Sequence, residues 1–153
     1  MLGDDIFFNG DGVVTAFRFA DGHVDLHRRY VATDRLIAQR AAQRSLHGLY
    51  RNPFTNDPSV AGTSGSTANT NVIAFGGVLL ALKEDSLPFA MNPDTLETIG
   101  EWDFAGQIGN RPFTAHPKFD PADGSLLAFG YEARGIATRD IVYYEFSADG
   151  DKR

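Results

Sequence analysis

The residues best placed to do chemistry stand in two short stretches. One is Phe113-Thr114-Ala115-His116-Pro117-Lys118-Phe119-Asp120, which sets a single histidine among residues that favour extended chain. Pro117 biases His116 toward a β or polyproline-II backbone and removes a donor at the next position. The imidazole is therefore presented from a strand or strand end. Taken alone, it reads as a strand-end histidine bonded to a neighbouring carbonyl. The other stretch is Leu79-Leu80-Ala81-Leu82-Lys83-Glu84, an apolar strand pattern that closes on a cation and a carboxylate. A charged end on so apolar a run needs a reason.

Three further patterns carry less. Asn9 and Asp11 have the spacing of a calcium loop, but the remaining ligand positions and the closing Glu are absent, and Asn9-Gly10-Asp11-Gly12 reads as a tight turn. His23 and His27 fall on one face of a strand together with Asp25 and Arg29, which describes a solvated polar face better than a metal site. Gly62-Thr63-Ser64-Gly65-Ser66-Thr67 resembles a phosphate cradle, yet no Gly-Lys-Ser/Thr follows, so it is not a P-loop.

The elements that must position these residues are mostly strands. Val13 to Ala20 and His23 to Val31 alternate around Asp21-Gly22, a hairpin signature. Thr33 to Arg44 is the one amphipathic helical stretch, with Thr33 or Asp34 as cap. Tyr50 to Asn71 is a long irregular segment, a kind that is usually functional or disordered. Val72 to Phe75, Gly76-Gly77 and Val78 to Glu84 form a second hairpin. Pro88 to Met91 and Thr95 to Phe104 add two strands, the last carrying the only tryptophan, Trp102. Four consecutive antiparallel strands have the size of one propeller blade. The rhythm recurs after His116 with strands at Leu126 to Glu132 and Ile141 to Ser147, so two to three blades are expected and nothing closes the ring.

The totals suit that reading. The chain has 153 residues, 42% hydrophobic and 22% charged, enough for one domain spanning 1–153. A net charge of -6 with scattered cations argues against a nucleic-acid surface. With no cysteine, any metal must take His and carboxylate ligands. No apolar run approaches the roughly 20 residues that cross a bilayer. Met1-Leu2-Gly3-Asp4-Asp5 lacks the pattern of a signal peptide, so a cytoplasmic location is expected.

Five ordered motifs together carry a resemblance. Phe8-Asn9-Gly10-Asp11-Gly12, Gly48-Leu49-Tyr50-Arg51-Asn52-Pro53-Phe54, Thr67-Ala68-Asn69-Thr70-Asn71, Leu80-Ala81-Leu82-Lys83-Glu84 and Thr114-Ala115-His116-Pro117-Lys118 resemble the carotenoid cleavage oxygenase family, most strongly its lignostilbene (stilbenoid) dioxygenase branch. The resemblance implies an all-β fold, part of a seven-bladed β-propeller with one helical excursion. It also implies a non-haem Fe(II) held by four histidines and the use of O₂ to split a carbon–carbon double bond into two carbonyl products. Carried over by motif, His116 matches the first iron ligand and Glu84 a glutamate that orients such a ligand. Tyr50 and Lys83 match the pair that holds a phenolic hydroxyl, and Phe8 an aromatic against the substrate ring.

The residue types fit those implied roles. Neutral imidazole suits Fe(II), a carboxylate on a ring nitrogen fixes tautomer and aim, and an ammonium beside a phenol favours phenolate. Lys83 and Glu84 are adjacent, however, so both serve one site only if the strand ends or bulges there. The other three implied ligands belong to later blades, and His23, His27 and His47 lie outside the ligand motifs. The chain thus resembles an N-terminal piece of the family. Three readings follow: a dioxygenase piece acting with O₂ on a 4-hydroxystilbene-like substrate, a non-catalytic propeller fragment, or an enzyme of polyene (apocarotenoid) substrates, against which Tyr50 and Lys83 argue. Open blade faces would also favour self-association.

Overall fold

The computed structural model describes residues 6–109 and 112–153. Met1 to Asp5, read above for a signal sequence, lie outside the described residues. Turn chemistry builds the hairpins. Asp21 and Gly22 both adopt left-handed φ, 48° and 76°, and join β1 (Val13–Ala20) to β2 (His23–Tyr30) in unbroken antiparallel register. Gly76 and Gly77, at 57° and 79°, do the same between β3 (Asn71–Phe75) and β4 (Val78–Leu82). Two central residues at positive φ match the right-handed twist of the flanking strands, which is why Asp-Gly and Gly-Gly stand there.

β5 (Phe89–Met91) and β6 (Thr98–Glu101) complete a four-stranded sheet in the order β3-β4-β5-β6. β7 (Lys118–Phe119), β8 (Leu126–Tyr131) and β9 (Ile141–Phe146) form a three-stranded sheet. The first hairpin is a two-stranded sheet of its own. Between hairpins, α2 (Asp34–Ala42) starts at Thr33, whose hydroxyl accepts the Leu36 N–H at 3.2 Å. That bond satisfies one of the donors a helix start leaves open.

The central strands of the four-stranded sheet, β4 and β5, are buried on both faces. Leu80, Leu82 and Ala90 face one core with Leu126, Ala128, Tyr144 and Phe146 of β8 and β9, and Phe104 and Phe113 fill the space between. Ala81, Phe89 and Met91, the alternate positions, face a second core with Val14 of β1 and Val31. Period-two alternation on a sheet covered from both sides gives the continuous apolar run seen in Leu79 to Leu82. Three sheets packed in series are successive propeller blades, and they close no ring by themselves.

Two expectations change. Asn9-Gly10-Asp11-Gly12 follows a single helical turn, α1 (Ile6–Asn9), and Gly12 does not take the positive φ of a tight hairpin turn. Instead the segment is threaded through the fold. The Gly12 N–H donates to the Thr67 carbonyl at 2.8 Å, and a Cβ on Gly12 would collide with the Ala68 carbonyl. The strand expected over Thr95 to Phe104 is confined to β6, because the register shifts between Ala90 and Met91 and the Asn92 side chain caps the N–H groups of Asp94 and Thr95 in a turn. Trp102 falls just past the strand.

Candidate active site

The site begins where β4 ends. Its last residue is Leu82, whose carbonyl accepts the Thr70 N–H at 3.0 Å, and beyond it the backbone is free to leave the pleat. The strand expected to reach Glu84 thus ends two residues earlier, and Lys83 and Glu84 follow it outside the pleat. From there the two side chains depart to different partners.

Lys83 is only 3% exposed. Its Nζ lies 4.4 Å from the centroid of the Tyr50 ring and 5.9 Å from that of Phe8, and those rings stack at 5.0 Å with planes 14° apart. A desolvated ammonium over aromatic faces is held by roughly 2 kcal/mol. The geometry brings together Phe8, Tyr50 and Lys83, three residues from widely separated motifs. Burial, then the negative charge of Asp85 and the neighbouring Tyr131, pushes the Tyr50 hydroxyl well above its ordinary pKa, so it keeps its proton. A neutral phenol beside a buried cation can donate to an incoming oxygen while the cation favours that oxygen's anionic form.

Glu84 turns to His116. Its Oε1 is 3.2 Å from His116 Nε2, with the imidazole side chain 62% exposed and the carboxylate 26%. His116 lies in a bend just before β7, its N–H donating to Thr114 Oγ1 at 3.0 Å, while Asn71 Nδ2 donates to the Ala115 carbonyl at 2.9 Å. The ring's partner is thus a carboxylate, where the isolated octapeptide suggested a carbonyl. The described residues do not fit a complete iron site: no group of three or more His, Cys, Asp or Glu among them could hold a metal ion, and Nε2 of His116 is already engaged. His27 is held at the surface, its Nε2 accepting from Arg29 Nε at 3.3 Å.

A cavity of ≈ 780 Å³ opens beside Lys83 and Tyr50, within the range of small-molecule sites. Tyr131, Glu132 and the Gly62–Thr67 loop line it, so the loop dismissed as a phosphate cradle serves as a wall. Phe8, Glu84 and His116 do not line it; Phe8 reaches it only through its stack on Tyr50. Two lining residues were not singled out from the sequence. Tyr131 ends an ordinary alternating strand and carries no local signal. His47 is 5% exposed, with neither ring nitrogen hydrogen-bonded to a protein group. Burial first, then the Arg35 guanidinium, holds its pKa below the usual histidine range.

A propeller piece carrying an aromatic-caged lysine next to a carboxylate–histidine pair defines a class, and comparison with known proteins agrees. Residues 2–153 match the model of the RPE65, retinal pigment epithelial membrane protein, family. The chain belongs to this family, the carotenoid oxygenases its motifs resemble. It is 54% identical over 147 residues to carotenoid cleavage oxygenase 1 of Neurospora crassa, covering 96% of this chain and 28% of that protein. It is 56% identical to resveratrol cleavage oxygenase 1 of Aspergillus fumigatus, covering 96% of this chain and 29% of that protein. Lignostilbene dioxygenase from Pseudomonas brassicacearum superposes on all of this chain and 32% of its own with a TM-score of 0.93 at 64% identity. The chain therefore spans less than a third of the length of these relatives.

Proposed function

We propose that this chain forms the phenol-binding part of an Fe(II)-dependent dioxygenase that cleaves the double bond of a 4-hydroxystilbene-like substrate with O₂. The observation that carries the reading is the placement of Lys83 Nζ over the Tyr50 ring at the wall of a small-molecule cavity. The relatives named for resveratrol and lignostilbene support the substrate class, since both names denote hydroxylated stilbenes. In this reading Phe8 packs on the substrate ring and Tyr50 hydrogen-bonds its hydroxyl. Lys83 stabilises the phenolate, whose electrons can then be pushed toward the alkene.

His116, oriented by Glu84, is this chain's contribution to the metal, and further ligands must come from outside the described residues. A second reading, that the chain as it stands is catalytically silent, is favoured by the lack of a three-ligand group among the described residues. Binding and catalysis are therefore tested separately. Fluorescence titration should show the chain binding 4-hydroxystilbene more tightly than 4-methoxystilbene, with Lys83→Met removing about tenfold of affinity for the first and none for the second. Equal losses on both ligands would leave Lys83 a structural cation.

A further inference from the structure

Two adjacent pairs of residues meet across the cavity mouth. Tyr50 and Arg51 come from the irregular segment after α2, and Tyr131 and Glu132 from the end of β8. Arg51 forms an ion pair with Glu132, and its Cζ lies 5.2 Å above the centroid of the Tyr131 ring. Tyr50 and Tyr131 both line the cavity, near enough that Tyr131 bears electrostatically on the Tyr50 hydroxyl. The two pairs therefore meet through Arg51 on one side and through Tyr131 and Glu132 on the other.

The backbone marks the same place. Arg51 and Glu132 both sit at left-handed φ, 56° and 55°, a conformation that non-glycine residues adopt at a cost. Such residues persist where surrounding contacts over-determine them, and they cluster at ligand clamps. An exposed ion pair would be a weak tether, but here the Arg51 and Glu132 side chains are 33% and 24% exposed, and the guanidinium also covers an aromatic face.

We infer that the Arg51–Glu132 pair is a clasp that holds Tyr131 against Tyr50, and that Tyr131 is the positioning residue that aims the Tyr50 hydroxyl beside Lys83. The irregular segment bearing Tyr50 has no strand to fix it. Beside the Phe8 stack and Lys83, it meets the end of β8 at Tyr131 and Glu132, and the core on the opposite side of that sheet holds β8 in place. Tyr131 also lines the cavity, so its action through Tyr50 is read from the Tyr50 resonance, while loss of its hydroxyl weakens recognition of a ligand hydroxyl. The affinity arm of the test rests on the phenol-binding reading above, whereas the spectroscopic arm does not.

The chain labelled with tyrosine ¹³Cζ tests it. Tyr131→Phe keeps the ring under Arg51 and removes the hydroxyl, whereas Glu132→Gln removes the clasp charge. Both should shift the Tyr50 resonance and lower 4-hydroxystilbene affinity about fivefold, with 4-methoxystilbene affinity unchanged. Tyr143→Phe, at an exposed position of β9, should change neither. An unmoved Tyr50 resonance in both variants overturns the clasp whatever the ligands do. A wild-type chain that binds both ligands equally, with Tyr50 shifted in both variants, overturns the phenol reading and upholds the clasp. Undiminished hydroxyl preference in Tyr131→Phe overturns the positioning role.

Discussion

Glu84 Oε1 and His116 Nε2 stand 3.2 Å apart, joining the end of β4 to the bend before β7. The pair links the end of the four-stranded sheet to the three-stranded one, and neither side chain lines the cavity that Lys83 lines. One strand end thus supplies a group to each of two places, a cage of aromatic rings and an imidazole.

A single imidazole whose Nε2 is already held gives little of the affinity of a multi-ligand site. Anaerobic Fe(II) titration of the chain followed by desalting is expected to leave well under one iron per chain. Retention of one iron per chain, lost in His116→Ala, would reveal partners for His116 that the described residues do not show.

His47 makes stability depend on pH. Its folded-state pKa lies below the ordinary value because burial, and then Arg35, oppose the charged form. Between the folded and unfolded values the unfolded chain binds more protons, so stability rises with pH there. The contribution is complete above about 6.5 and is lost as the pH falls from that value through the folded-state pKa. Thermal melts from about pH 8 down to about pH 5 should show the melting temperature falling below neutrality. His47→Phe should flatten that part of the profile, and a slope unchanged in the variant would move the effect to other groups.

Gly130 in β8 is required by packing. Its φ is not left-handed, yet a Cβ there would strike the Pro112 carbonyl, which is backbone and cannot swing aside. Gly130→Ala is expected to cost about 1–3 kcal/mol, read as a lower urea midpoint at unchanged m-value. Gly22→Ala has open space around its Cβ but a φ of 76°, so any loss there is of backbone origin. Equal midpoints for wild type and Gly130→Ala would mean that the β8 backbone yields easily.

One face of the first hairpin is apolar and open. Phe17 pairs with Leu26 and Phe19 with Val24, and the four are 57%, 61%, 77% and 55% exposed respectively. Patches of this kind drive association. Sedimentation velocity should show the chain self-associating with concentration, and the double change Phe19→Lys and Leu26→Lys should shift it toward monomer. Association undiminished in that variant would direct attention to another surface.

Local chemistry made much of this legible from the sequence. Asp21-Gly22 and Gly76-Gly77 announce their hairpins because positive φ is written in the residue types, and Thr33 announces its helix because a hydroxyl caps the start. The strand expected to run from Val78 to Glu84 stops at Leu82, so Lys83 and Glu84 fall just beyond it, a place the apolar pattern alone does not mark. What escaped was decided by contacts between distant segments. Asn9 to Gly12 has the composition of a turn, but its N–H and C=O groups are taken by Thr67, Asn69 and Val31. Tyr131 and His47 acquire their surroundings only when β8, α2 and the long irregular segment come together, and no spacing within any one of them encodes that.

The end of β4 has a consequence for which changes of length the chain tolerates. Within the strand, Leu80 and Leu82 face one core and Ala81 the other, and the next two residues continue outward to the aromatic cage and to the imidazole. A point substitution can remove one of these groups and spare the rest. Deleting a single residue between Leu79 and Leu82 would exchange the faces of everything on one side of it. With the upstream half held in place, Lys83 would fall on the core position of Leu82 and Glu84 on that of Lys83 at the rings. Such a strand can drift in residue type but not in length, and its alignment is fixed by two charged groups as firmly as by its apolar ones.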